Sequence, residues 1–156
     1  MSWWSRLLGG RSDAELKPQR LDYLSEALVL ERQGDFDAAL TSYRLALRDK
    51  PDDHRVLMNM AIAYSRLARP GEAERCYRRV LEVKPEHPGA HYGLGFLLMR
   101  RCDLSGAEQH LAAFVSSPGK GAEATHVAHA KRALANLRSP APSDEAPGDE
   151  PDQPGV

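Results

Sequence analysis

The chain has 156 residues, close to the usual size of one domain, and 42% of them are hydrophobic. The formal net charge is −1, so bulk charge does not indicate nucleic-acid binding. No stretch approaches the roughly 18–20 apolar residues that span a bilayer, and the two cysteines form no zinc-type pair or disulfide framework. We therefore expect a cytoplasmic protein that binds no nucleic acid.

The first segment, residues 1–19, is predicted to be a separate arm that holds both tryptophans. As a helix, it would present one apolar side, formed by Trp3, Trp4, Leu7 and Leu8. Three hypotheses compete: the arm folds back onto its own chain, touches a membrane surface, or inserts into a partner. We favour a protein contact, because one short turn with two arginines has weak lipid affinity.

The middle of the chain is predicted to be all helix. Apolar residues recur there at spacings of three and four, and turn signals divide it into pieces of about a dozen residues. Asp35, Asp53 and Asp103 suit helix starts, and Gly34 suits a helix end. Helices this short are marginal alone, so their stability must come from packing against neighbours.

A repeat appears when the sequence is shifted by 34 residues against itself. Small residues then align in two columns and large residues in a third, as helix crossings and the spaces between them require. The columns are Ala27, Ala61 and Gly95; Ala39, Ala73 and Ala107; and Tyr43, Tyr77 and Leu111.

This pattern resembles the tetratricopeptide repeat, with residues 54–87 as the best match. The resemblance implies an all-α, right-handed solenoid in which the first helix of each unit lines the concave side. The predicted units are residues 20–53, 54–87 and 88–120, followed by a capping helix over 121–138.

The last segment, residues 139–156, is rich in proline and carries five of the 22 acidic residues and none of the 21 basic ones. This composition buries too little apolar surface to fold, so we predict a disordered tail. A solubilising extension is the favoured interpretation, and an acidic docking peptide is the alternative.

Metal binding and catalysis are not expected, and neither is a cofactor. Glu123, His126 and His129 share a helix face, but metal sites of that kind need matching ligands from several helices. His87 and His91 are explained by helix capping and packing. The sequence contains none of the common nucleotide-binding, hydrolase or metalloprotease motifs.

The resemblance places a binding groove along the first helices, apolar with an arginine fringe. Its predicted residues are Leu24, Leu28, Arg55, Met58, Asn59, Ile62, Arg66, Tyr92, Phe96, Met99 and Arg100. The alternative is that several of these side chains belong to the core, which periodicity alone does not distinguish.

One subgroup of the family binds acidic tails of chaperones through a carboxylate clamp. Asn59 matches that clamp, but its other cations and amides are missing. Leu21 and Ser25 occupy the corresponding places in the first unit, and Gly89 and Gly93 those in the third. We therefore predict an adaptor that holds a helical or extended segment of another protein in the groove. The alternatives are a membrane-peripheral scaffold anchored by residues 1–19, and an enzyme subunit whose catalytic groups come from another chain.

Overall fold

The computed structural model describes residues 22–139 and contains seven helices over that range. They are α1 (Tyr23–Arg32), α2 (Phe36–Asp49), α3 (His54–Arg66), α4 (Pro70–Val83), α5 (Pro88–Arg100), α6 (Leu104–Ser116) and α7 (Ala124–Arg138). Within residues 22–139 there is no strand, and none of the helices is long and apolar enough to cross a membrane.

Side-chain caps fix the starts of five of the seven described helices, all except α4 and α7. The Asp35 carboxylate accepts a hydrogen bond from the Ala38 amide at 3.1 Å, and Asp103 accepts one from the Gly106 amide at 3.0 Å. These bonds satisfy backbone N–H groups that lack a partner in the first helical turn. The aspartates therefore set where the second helices of the first and third hairpins begin.

The turn inside each hairpin uses a residue in the left-handed backbone region at the same repeat position. These residues are Gly34, Ala68 and Cys102, with φ of 82°, 55° and 61°. Glycine adopts this conformation without the steric penalty of a Cβ, whereas alanine and cysteine bear that penalty. The backbone geometry thus repeats every 34 residues even where the side chain does not.

The core follows the columns of the sequence alignment. The small residues of the crossing columns have no exposed surface at Ala27, Ala61, Ala39, Ala73 and Ala107, and Gly95 is also buried. Helices therefore approach closely inside each hairpin, and the hairpins α1–α2, α3–α4 and α5–α6 stack in chain order. The prediction of an all-α repeat solenoid is confirmed.

Helix α7 packs on the last hairpin through a second apolar cluster. Ala130, Ala133 and Leu134 of α7 are buried there with Leu111 and Phe114 of α6. This contact covers apolar surface that an open end of the solenoid would expose to water.

Two predicted segments lie outside the described residues. The arm over residues 1–19, with its predicted contact residues Trp3, Trp4, Leu7 and Leu8, precedes Asp22. All of the acidic tail over 139–156 except Ser139 follows the last described residue. The arm contact and the membrane-peripheral alternative therefore stay predictions, as do the exact boundaries of the repeat units.

Candidate functional site

Two adjoining cavities form a groove along one side of the solenoid. The first has a volume of about 480 Å³ and is lined by Leu28, Glu31, Arg32, Phe36, Ile62 and Arg66. The second has a volume of about 730 Å³, within the usual range of ligand-binding sites. It is lined by Met58, Ile62, Arg66, Tyr77, Pro88, Gly89, Tyr92, Gly93, Phe114, Pro118, Gly119, Gly121, Ala122 and His126.

Ile62 and Arg66 line both cavities and so make the groove continuous. They are one turn apart on α3, which places their side chains on the same helix face. Ile62 is half-buried yet belongs to neither apolar core cluster, so its side chain faces the groove rather than the interior. Arg66 is exposed and makes no ion pair with any residue of the described range.

The wall of the second cavity is an aromatic cluster around Tyr92. Its ring centroid lies 5.0 Å from that of Phe114 and 5.2 Å from that of His126. The Tyr92 hydroxyl is 3.0 Å from Nδ1 of His129, and burial raises the pKa of Tyr92 above its ordinary value. Contacts on several sides hold the ring in place, so this wall is preorganised for binding.

Two glycines of α5 form the floor of the second cavity. A Cβ at Gly93 would come within 2.5 Å of the Tyr77 ring, so the missing side chain leaves that ring facing the cavity. A Cβ at Gly89 would meet the flexible end of Met58 at 3.2 Å and would lie in ordinary contact with the His87 ring at 3.4 Å. From the sequence, Gly89 and Gly93 were interpreted only as positions that lack the side chains of a carboxylate clamp. Their role in shaping the cavity was not predicted.

Several other lining residues come from the turn after α6 and the start of α7, and the sequence analysis also missed them. One signal could have found them: His126 lies 34 residues after Tyr92. In the 34-residue alignment, His126 of α7 therefore stands at the same repeat position as Tyr92 of α5.

Four predicted groove residues line neither of the two cavities of the groove. Phe96 stacks on His129, with ring centroids 4.3 Å apart, and Met99 packs with it against the α7 cluster. Asn59 hydrogen-bonds with Tyr43, whose hydroxyl also donates to Glu31 at 2.5 Å. Arg100 is exposed at the end of α5.

The other two predicted residues lie elsewhere on the surface. Leu24 and Arg55 line a separate cavity of about 390 Å³ between α1, α2 and α3, together with Asp49 and Lys50. The structure therefore brings five of the predicted residues into the groove, namely Leu28, Met58, Ile62, Arg66 and Tyr92. Their role in binding stays a prediction.

Histidines are grouped near the starts of α3 and α5 and on α6. Within residues 22–139, no group of three or more histidine, cysteine or acidic side chains could hold a metal ion. The His91 Nε2 donates to the Pro85 carbonyl at 2.8 Å, and its Nδ1 lies 3.0 Å from Nδ1 of His110. Because Nε2 carries a proton, Nδ1 of neutral His91 accepts, and His110 donates from its own Nδ1.

This arrangement favours neutral imidazoles. Burial, followed by the neighbouring His91, holds the pKa of His110 below its ordinary value. Burial and the neighbouring His54 act in the same direction on the pKa of His87, whose Nδ1 accepts a hydrogen bond from the Ala90 amide. Protonation of His87 would remove the acceptor of the Ala90 amide, and protonation of His110 would place a charge in a partly buried position beside His91.

We therefore expect the fold to lose stability in mild acid. Because the folded pKa values are lowered, the unfolded chain binds more protons as pH falls through about 6.5, and unfolding becomes easier. Urea-unfolding midpoints should decrease between about pH 7.5 and pH 5.5, above the range where carboxylates titrate near pH 4. The substitution His110→Gln should reduce the slope, and a midpoint constant over this range would contradict the prediction.

Comparisons with known proteins agree with this architecture. Two family models, both described as tetratricopeptide repeat, match residues 30–85 and residues 58–122. A tetratricopeptide repeat and J domain-containing co-chaperone from Fusarium oxysporum is 30% identical over 118 residues, which cover 74% of this chain. The photosystem I assembly protein Ycf3 of Synechococcus is 30% identical over 95 residues, covering 58% of this chain.

A solved structure shows the same fold. PcrH in complex with the chaperone-binding region of PopD has a TM-score of 0.67 and 17% identity, covering 83% of this chain and 96% of that one. The chain spans only 22% of the co-chaperone and 55% of the assembly protein.

The fold and the groove thus define an all-helical repeat protein. More specifically, the chain belongs to the tetratricopeptide repeat proteins and contains about three repeats.

Proposed function

We propose that this chain is an adaptor that binds a helical or extended segment of a partner protein in the groove. The observation that carries the proposal is the continuity of the two cavities through Ile62 and Arg66. A continuous apolar channel suits a chain segment better than a compact ligand, because successive side chains can enter it in turn. PcrH, a protein of the same fold, was crystallised in complex with the chaperone-binding region of PopD.

The chemistry of the groove defines the partner segment. Ile62, Met58 and Tyr92 offer half-buried apolar surface that an aliphatic or aromatic anchor would cover. Arg66 lies at the junction of the two cavities and makes no ion pair within residues 22–139, so its guanidinium can pair with a carboxylate of a partner. A segment with apolar anchors at helical spacing and one acidic residue between them fits both features.

The proposed role is binding without catalysis, in a reducing compartment such as the cytoplasm. Both cysteines are free thiols, Cys76 partly buried and Cys102 exposed. Burial raises the pKa of Cys76 to about 11, so this thiol is a poor nucleophile near neutral pH. The two cysteines therefore support structural and surface roles rather than nucleophilic ones.

The substitution Ile62→Glu tests the groove. Peptides are first selected from a displayed random library on the immobilised full chain, and their affinities are measured by fluorescence anisotropy. Because a carboxylate at this position would lose water on binding an apolar anchor, we expect Kd to rise at least tenfold, equivalent to about 1.4 kcal/mol. Circular dichroism should show an unchanged fold, since Ile62 packs on neither core cluster.

The matched control is Leu104→Glu, which places the same carboxylate on an exposed leucine outside the groove. Leu104 is 54% exposed at the start of α6, where a negative charge is compatible with the helix dipole. This variant should bind the selected peptides as the wild type does. Equal binding by wild type and Ile62→Glu would show that the groove is not the partner-binding site.

A further inference from the structure

The first helices of the three hairpins end on the same residue type. Arg32, Arg66 and Arg100 are the last residues of α1, α3 and α5 and are separated by exact multiples of the 34-residue repeat. All three are exposed, and Arg32 and Arg66 line the groove. Since α1, α3 and α5 begin successive stacked hairpins, the three guanidinium groups follow one edge of the solenoid. We name this row the arginine ladder.

The three arginines of the ladder differ from most other arginines of the described range, because none of them forms an ion pair there. Over residues 22–139, no ion pair involves Arg32, Arg66 or Arg100, although six other arginines form one. Those six are Arg55, Arg69, Arg78, Arg79, Arg101 and Arg138.

Nearby carboxylates are already engaged. Asp35, three residues after Arg32, caps α2, and Asp103, three residues after Arg100, caps α6. The equivalent position after Arg66 is occupied by another arginine, Arg69. No carboxylate within residues 22–139 therefore pairs with the ladder, and its arginines can bind an anion from outside that range.

Compensation of the helix dipole does not account for the pattern alone. A cation is favourable at the end of any helix, yet α4 and α6 have no basic residue in their last turns. The arginine recurs at the end of every first helix, and at Arg32 and Arg66 it lines the groove. Among the second helices only α2 has a basic residue in its last turn, Arg48, so the recurrence is complete only in the first helices.

Helix α7 brings the acidic tail to the same edge. Tyr92 and Phe96 of α5 face His126 and His129 of α7 in that order, so α7 runs parallel to α5 in the register of a further first helix. Its last residue, Arg138, therefore lies at the edge where α5 ends at Arg100. Ser139, the last described residue, therefore lies at that end of the ladder.

The spacing of acidic residues in the tail suits the ladder. Asp144 and Glu145 form one pair, Asp149 and Glu150 a second, and Asp152 follows, with no lysine or arginine between them. A fully extended chain spans at most about 3.3 Å per residue, so the ten residues from Pro140 to Asp149 allow the second pair a reach of up to about 33 Å from Ser139. Neighbouring first helices pack about 10 Å apart, which places Arg100 and Arg66 within that reach.

We infer that the acidic segment 144–152 of this chain lies along the arginine ladder, with its first acidic pair at Arg100 and its second at Arg66. Individual exposed ion pairs are weak. Attachment to the same chain gives the tail an effective concentration on the order of millimolar, so several weak pairs act together. The contact is dynamic, sensitive to salt, and positioned to compete with an acidic partner segment at Arg66.

Cys102 provides a probe for this contact, because it is exposed in the turn that follows α5 and Arg100. A nitroxide label is attached there in the full chain carrying Cys76→Ala, and the broadening of backbone amide signals is measured by NMR. We expect broadening at Asp144 and Glu145 at 10 mM salt, extending to Asp149 and Glu150. It should be lost at 1 M salt, because the screening length falls from about 30 Å to about 3 Å.

Charge variants identify the surface. The double substitution Arg66→Gln with Arg100→Gln should abolish the broadening at low salt. The control Arg48→Gln with Arg75→Gln removes two exposed arginines from second helices and should retain it. Broadening that decreases steadily from Ser139 and is unaffected by salt and by the ladder variant would overturn the inference.

A mixing experiment separates binding within one chain from binding between two. Spin-labelled chain without isotope is mixed with unlabelled, isotope-enriched chain at the same total concentration. Unbroadened tail signals support docking within one chain, whereas broadening equal to that of the single species would place the tail on a second copy and overturn it. Because no partner is present, the outcome is independent of the proposed adaptor function.

Discussion

Replacing Gly95 by leucine should destabilise the fold by about 3 kcal/mol, at the upper end of what overpacking a core usually costs. Gly95 is buried where α5 crosses α6, and a Cβ there would lie 2.8 Å from two carbons of the Leu111 side chain. The Leu111 backbone nitrogen, at 3.3 Å, limits any movement of α6 away from the new side chain. Leu111 is itself fully buried, so its side chain has no free space to enter.

Thermal and urea unfolding followed by circular dichroism would measure this loss. A change of this size should lower the melting temperature by roughly 15 °C for a folded region near 100 residues. The better helix propensity of leucine offsets only about 1 kcal/mol of the strain.

The matched control is Gly71→Leu, the same substitution on α4 at a position with nothing within 4 Å of the added Cβ. It should leave stability unchanged or slightly improved. Equal stability of the two variants would show that the crossing of α5 and α6 is not closely packed.

The crossing at Gly95 shows why the fold was predictable from the sequence. Burial in this architecture repeats with the chain, so the columns containing Gly95, Ala39 and Tyr43 could be recognised without coordinates. The aspartate caps are local features, since each acts on an amide two or three residues away. Periodicity and local hydrogen bonding together determine helices, hairpins and stacking.

The groove was less predictable, because it depends on which neighbour covers each helix face. Phe96 and Met99 have the spacing of groove residues, yet α7 packs against them. Helical periodicity identifies an apolar face but not whether another helix covers it. The floor at Gly89 and Gly93 was missed for a related reason: a cavity arises from absent side chains, and only the positions of Tyr77 and Met58 reveal its size.

The arginine ladder was only partly predictable from the sequence. Its 34-residue spacing is visible in the sequence, but the lack of acidic partners is not. Arg101 and Arg100 are adjacent, and only Arg101 reaches a carboxylate, that of Glu74. Ion pairing depends on the direction each side chain takes from its helix, which sequence spacing does not determine.

Replacing Gly89 by leucine should weaken partner binding at least tenfold, equivalent to about 1.4 kcal/mol, while the fold stays intact. The new side chain would project into the cavity of about 730 Å³ that the partner's anchor is proposed to occupy. Its Cβ would crowd the terminal methyl of Met58, a flexible group that can rotate aside, and would make an ordinary contact with the His87 ring at 3.4 Å. Anisotropy with the selected peptides measures affinity, and urea unfolding measures stability.

Gly71→Leu is also the matched control here, because Pro70-Gly71 and Pro88-Gly89 occupy the same two positions at the starts of α4 and α5. Any general effect of leucine in the first helical turn is therefore common to both variants, whereas only Gly89 faces the groove. Weaker binding by both variants would attribute the loss to the helix start rather than to the cavity. Unchanged binding by Gly89→Leu would mean that the partner's anchor enters the groove elsewhere, leaving the first cavity, around Leu28 and Phe36, as its remaining location.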